Sequence, residues 1–445
     1  MMRKFVCART VAMLVGTLLG ATAAHAASYA LLYTFNGGTG GGRPNGSLVM
    51  DRAGNLYGTT YYGGVVNANC PSGCGVVFEL ILGTNGKWTA TVVHTFAGGN
   101  AGGGPLSGLT FDSVGNLYGT TSYGGNSTNC TGGCGTVFEL TPGAGTWSWK
   151  GIYNFTGSSG QTPMGRLLFD SAGNLYGTAF QGGSTNCSGG CGNVFELMPN
   201  SNGKWSWKGL HSFIGGQNGW GPVSGLILDA AGNLYGTTEW GGNTTCSSNG
   251  VTGFTCGTVF KLTPNLTGQW TLTQLHAFSG PNNSGNPTGD GANPVSEVLF
   301  DDAGNLYGTT SSSGRFSSGA EVCGPCGTAF ELTPASSGPW MEQVLHAFNR
   351  LDDGNSPQSL VRDSLGNLYG TNAQMGHFHG GNIFKLALGT GGVWVETVLH
   401  AFQLPPANGG DTPGGGLLLD NAGNLYGTTT KGGSSDQGVV YEVTP

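Results

Sequence analysis

Seven times the chain writes nearly the same nine residues, of which Asp170-Ser-Ala-Gly-Asn-Leu-Tyr-Gly-Thr178 is one copy. The Asn-Leu-Tyr-Gly core recurs at 55–58, 116–119, 174–177, 233–236, 305–308, 367–370 and 424–427. The glycines before it, Gly54, Gly115, Gly173, Gly232, Gly304, Gly366 and Gly423, are 57 to 72 residues apart. A period this long, with several strand signals inside it, fits propeller blades rather than solenoid turns.

The third copy reads as one unit. Pro163 precedes a strand at 165–170, and the turn Ser171-Ala-Gly173 leads to a second strand from Asn174. After a Gly-rich, Cys-bearing loop comes a third strand, 192–197, and then a fourth, 205–213. Within the turn the Asp carboxylate can accept backbone N–H groups, and Gly takes the position that needs positive φ. Leu and Tyr of the second strand are expected to give it one packed face. All seven aspartates share one neighbourhood, so the motif reads as scaffold and not as a catalytic site.

The fourth strand opens on a Trp at 88, 147, 205, 270, 340 and 394. Its seventh copy stands at the N-terminus, Tyr29 to Phe35, while the C-terminus stops after a third strand. An open array would leave raw edges that invite pairing with other chains. The expected fold is therefore all-β: a seven-bladed β-propeller of four-stranded blades, closed by residues 29–35 pairing beside the last blade. It forms one domain, 27–445.

Residues 1–26 read as a secretory signal peptide. Arg3, Lys4 and Arg9 precede an apolar run from Val11 to Leu19, and Ala24-His25-Ala26 offers a cleavage site. No later run is long enough to span a bilayer. The expectation is an exported, monomeric protein of the periplasm or the extracellular space. Without the leader, 13 basic residues face 23 acidic ones, a net charge of −10, which makes nucleic acid a poor partner. Gly contributes 87 residues without a collagen period, and bulky residues between the glycines argue against disorder.

The combination of D-x-x-G-N-L-Y-G-T-T with G-T-V-F-E-L-T-P resembles the tandem repeat known as GloVer, found in exported bacterial proteins. The resemblance covers essentially 29–445. It implies a repeat scaffold and brings no catalytic residues. The turns also resemble, more weakly, those of NHL and gluconolactonase-type propellers.

Ten cysteines follow the leader as five local pairs: Cys70/Cys74, Cys130/Cys134, Cys187/Cys191, Cys246/Cys256 and Cys323/Cys326. Each lies between the second and third strands of a blade. Even count, local pairing and export favour disulfides. Zinc sites usually combine two close pairs or add histidines, and no thioredoxin-like pattern surrounds Cys323-Gly-Pro-Cys326.

Because strands alternate in direction, the Cys loops and the linkers entering each first strand should share one face. That face is where binding is expected. Tyr62, Tyr123 and Trp240 precede Gly-Gly at matching places there, with Trp220 in an entry linker. Aromatic faces among amides and hydroxyls suit stacking on sugar rings or protein contacts, or they pack their own loops. The outer-strand histidines His94, His211, His276, His346 and His400 alternate with Tyr33 and Tyr153 and read as packing positions.

The sixth blade breaks the repeat with His377-Phe-His379, and Asp352 and Asp353 precede it. Together they form a candidate divalent-metal cluster. Arg166, Glu297 and Arg362 interrupt otherwise small or apolar first strands and are expected to face the channel. No GxGxxG loop, P-loop or nucleophile elbow supplies a cofactor or a catalytic Ser. The reading favoured by the sequence is a non-enzymatic module that binds a carbohydrate or protein of the envelope or extracellular space. The alternative is a metal-dependent propeller hydrolase or lyase with its site at the channel mouth.

Overall fold

The computed structural model describes residues 27–445 apart from 243–246, 249–250, 253–255, 281–288, 315–325, 337, 350–352 and 405–408. Seven four-stranded antiparallel sheets radiate around an axis. In the first blade the inner strand is split into Gly42–Pro44 and Val49–Met50. Leu56–Tyr62, Val76–Leu82 and Trp88–Thr95 then follow outwards.

Ser28–Thr34 completes the seventh blade, pairing Tyr29 with Val443 and Thr34 with Val439. The ring is thus closed by the N-terminal strand.

The repeated turn is held by its aspartate. Asp170 Oδ1 accepts the backbone N–H of Ala172 at 2.9 Å and of Asn174 at 2.8 Å. Asp170 Oδ2 accepts from Asn174 Nδ2 at 2.8 Å and from the Tyr176 hydroxyl at 3.1 Å. Gly173 sits at φ 85°, a conformation a side chain would strain. These bonds give Asp170, Asn174 and Tyr176 structural roles in the turn.

One expectation is corrected here. Leu56, Tyr57, Gly58, Thr59 and Thr60 are all buried, so the second strand packs on both faces. It lies inside the blade, with a neighbouring blade against either side. Tyr57, for example, meets Phe111 and Trp147 of the second blade edge-on.

The core lies between blades. At every seam an aromatic at the end of one outer strand meets an aromatic in the third strand of the next blade. The pairs are Phe35–Phe78, Phe96–Phe138, Phe155–Phe195, Phe213–Phe260, Phe278–Phe330, Phe348–Phe384 and Phe402–Tyr441. Repeated Gly and Pro serve the same seams. A Cβ on Gly75, at φ 91°, would lie 2.3 Å from Thr60 O and 2.7 Å from Pro105 of the next blade. Only glycine lets the blades approach this closely.

Candidate functional site: the channel and its long-loop mouth

The Cys loops and the entry linkers do share a face, because they are hydrogen-bonded to each other. Gly104 N donates to Cys74 O at 2.8 Å, Thr162 N to Cys134 O at 3.0 Å, and Gly221 N to Cys191 O at 2.9 Å. Cys70–Cys74, Cys130–Cys134 and Cys187–Cys191 are disulfides with Cα atoms 5.0–5.2 Å apart. Cys256 and Cys326 are disulfide-bonded too, while Cys246 and Cys323 lie outside the described residues.

The inner strands enclose an axial cavity of about 1040 Å³. Small residues such as Gly46, Ser107, Gly165, Ser224, Ser296 and Gly415 contribute to its lining. Among the described residues, four titratable side chains line it: Arg166, Glu239, Glu297 and Arg362. Arg166 Nη2 meets Glu297 Oε1 at 2.7 Å, joining the third blade to the fifth across the channel. The Glu297 carboxylate holds the Arg166 guanidinium firmly protonated, above its ordinary range. Glu239 stands beside the mouth, and burial pushes its carboxyl up to about 7. Sequence reading missed Glu239. The available signal was its singularity, since the same place in other copies holds Tyr61, Ser122, Phe180, Ser311, Ala373 and Thr430.

The aromatic residues of the mouth fall into two groups. Trp220 and Trp240 lie against each other, ring centroids 4.2 Å apart, and exchange backbone hydrogen bonds of 2.8 and 3.1 Å. Both are partly exposed, and Phe180 supports Trp240 from 5.3 Å. Tyr62 packs edge-on against Tyr61 and under the Arg43 guanidinium. Tyr123 covers the linker backbone, where a Cβ on Gly103 would fall 2.5 Å from its ring. Its hydroxyl reaches Cys70 Sγ at 3.5 Å, and burial raises its pKa to about 12.

The proposed metal-ligating residues are dispersed differently from the sequence reading. Asp352 lies outside the described residues. His377 and His379 are exposed, and His379 begins the strand His379–Leu388 with φ 64°. Asp353 is buried, and its Oδ2 meets His346 Nε2 at 2.8 Å. Among the described residues, the group able to hold a metal is His346, Asp353 and Glu396. It lies at the seam between the fifth and sixth blades, and none of the three lines the axial cavity. Two of the other outer-strand histidines pack at seams. His94 stacks on Trp149 and His400 on Tyr29.

Fold and site together define a closed seven-bladed propeller with a loop-built mouth over an axial cavity of mixed polar and apolar lining. Residues 127–323 and 245–445 match the Gloeobacter/Verrucomicrobia repeat, and the chain belongs to that family. No curated protein matches it. Among solved structures, a protein of unknown function from Dyadobacter fermentans is similar at 12% identity and TM-score 0.41, over 83% of this chain and 96% of that one. A gluconolactonase from Xanthomonas campestris is similar at 14% identity and TM-score 0.34, over 69% of this chain and 81% of that one. Neither likeness carries a functional argument. No helix among the described residues is long and apolar enough to cross a membrane.

Proposed function

We propose that this protein is an exported, non-enzymatic binding module that takes a neutral polar polymer, foremost a carbohydrate of the cell envelope or extracellular space, on its long-loop face. The observation that carries the reading is the Trp220–Trp240 pair. Two partly exposed indoles stand on the rim directly beside Glu239, whose side chain lines the cavity. Indole faces stack on the apolar faces of sugar rings, and the surrounding amides and hydroxyls supply directed hydrogen bonds. Loops tied by disulfides and inter-blade hydrogen bonds lose little freedom when a ligand binds. The protein works as a monomer in this reading.

The test is retention of the full chain on a panel of envelope and extracellular glycans, compared with Trp220→Ala/Trp240→Ala. Binding by the wild type that falls about ten-fold or more in the variant, a loss of about 1.4 kcal/mol or more, supports the reading. The variant must melt as a folded protein. Equal binding by both, or no binding by either, sinks it.

A second reading, a hydrolase or lyase at the channel mouth, is favoured by Glu239 alone. A carboxyl titrating at about 7 is placed to act as general acid or base near neutral pH. Turnover of chromogenic esters or glycosides that disappears in Glu239→Gln would support it.

A further inference from the structure

One seam position changes character part-way round the ring. Opposite the conserved Leu or Val of the third strand, the outer strands carry Ala90, Trp149, Trp207, Leu272, Glu342, Glu396 and Tyr29. This residue faces the His or Tyr of the preceding blade. His94 stacks on Trp149, Tyr153 on Trp207, and His400 on Tyr29. Five seams are thus filled by apolar or aromatic side chains, and two by a glutamate.

The same two seams change at a second position. Four residues before the entry proline, the linkers carry Gly40, Ala101, Ser159, Asn218, Asp290, Asp353 and Gly409. Aspartate stands only where the next outer strand carries glutamate. Asp290 meets His276 Nε2 at 3.1 Å, and Asp353 meets His346 Nε2 at 2.8 Å.

The fifth-to-sixth seam brings the three groups together most closely. One ligand atom each from His346, Asp353 and Glu396 lies within 4.8 Å of the others. Asp353 is 4% exposed, and its Oδ1 is already occupied by the Asn349 N–H, which leaves Oδ2 turned to the histidine. Glu396 Oε1 is shielded from solvent and has no hydrogen-bond partner among the described residues. A carboxylate oxygen buried beside a second carboxylate is costly unless a positive charge joins it. Donors bound to a divalent ion at about 2.0–2.2 Å stand roughly 3 to 4.4 Å from one another. Small side-chain movements would therefore close this trio onto one ion.

We infer that His346 Nε2, Asp353 and Glu396 form a binding site for a divalent transition-metal ion. The ion clips the outer strand of the fifth blade to the linker and outer strand of the sixth. One imidazole and two carboxylates suit Zn²⁺ or Mn²⁺, with water completing the shell on the exposed side of His346. The ion is structural: it neutralises the seam where the repeat has given up its apolar filling.

The full chain, produced without an affinity histidine tag, is stripped with EDTA. It is then dialysed against Zn²⁺, Mn²⁺ or Co²⁺ singly and analysed for bound metal and melting temperature. About one tightly held ion per chain is expected, with a rise in melting temperature on reloading. Glu396→Leu reproduces the side chain that the fourth blade carries as Leu272, and Asp353→Ser reproduces Ser159, so the fold has precedent for both. Each should reduce retained metal by about ten-fold or more, while Glu342→Leu leaves this ion in place. Wild type that retains none of the three metals overturns the site, as does equal retention by Glu396→Leu and Asp353→Ser. A wild-type melting temperature that ignores EDTA and metal but rises in mild acid assigns the cluster a shared proton and also overturns it.

Discussion

Phe35 and Phe78 meet edge-on with ring centroids 5.1 Å apart, although the first completes the last blade and the second belongs to the first blade. Phe35 is 1% exposed and packs with Leu48, Leu56, Tyr426 and Val440. Ring closure is therefore a core contact of the same kind as the other six seams, as well as a strand pairing.

Phe35→Ala should cost about 3–5 kcal/mol, the range for emptying a buried aromatic site. Phe213→Ala, at the equivalent mid-chain seam, should cost a similar amount. Denaturant melts of the two variants check this. A Phe35 variant that melts like the wild type would show that the N-terminal strand does not close the ring in solution.

The turn aspartates predict an effect out of proportion to the chemical change. In Asp170→Asn, shape is kept, but an amide nitrogen replaces an oxygen that accepts from Asn174 Nδ2 or the backbone. The side chain cannot serve every donor that the carboxylate serves, and a loss of about 1–2 kcal/mol is expected. The same loss should follow from Asp51→Asn or Asp420→Asn, whose turns have the same bonds. Burial alone would raise the Asp229 carboxyl, but donors from Asn233, Tyr235 and Ala231 hold it below its ordinary value. Asp301 and Asp363 are held down in the same way. The stability that the lowered Asp229, Asp301 and Asp363 carboxyls contribute is full above the ordinary carboxylate range and is lost as pH falls through their depressed values.

The buried histidines add a second acid-sensitive window. Burial pushes His94 and His400 down to about 4 from the ordinary 6.5. Between those values the unfolded imidazoles take up protons that the native ones refuse. Stability is therefore lost as pH falls from about 6.5 to 4, and this contribution adds no further loss below that. His94→Tyr reproduces the Tyr153–Trp207 stack at the equivalent seam. It should shift the acid-unfolding midpoint to lower pH while leaving stability at pH 8 little changed. An unchanged acid midpoint would mean that His94 is already hydrated in the native state.

How much of this was legible in the sequence depends on the range of the interaction. The turn and the displaced outer strand could be read because repetition exposes any constraint imposed seven times. Double-sided burial of residues 56–60 was missed, since the alternation rule assumes one solvent-facing side. Asp353 was singled out, but its partners were not. His346 was grouped with its packing copies, and Glu396 was not singled out. Their meeting across two blades depends on strand register and blade rotation, which one chain does not display. Glu239 was hidden by the adjacent Trp240. Comparing the seven copies column by column would have flagged both glutamates as departures.

Arg166 and Glu297 give the channel a crossbar, and its strength can be measured. Enclosure by seven blades would suggest a strong buried pair, yet the Arg166 side chain is 40% exposed and Glu297 23%, because water reaches them along the axis. Their attraction is screened accordingly. A double-mutant cycle with Arg166→Gln and Glu297→Gln should give a coupling of about 0.5–1 kcal/mol that shrinks as salt is raised. The double variant should fold, since neither side chain fills the hydrophobic seams. It should also admit small solutes through the channel more readily than the wild type does. Coupling above about 3 kcal/mol and indifferent to salt would instead mark a dry, buried pair, and the channel would then be a closed plug at that level.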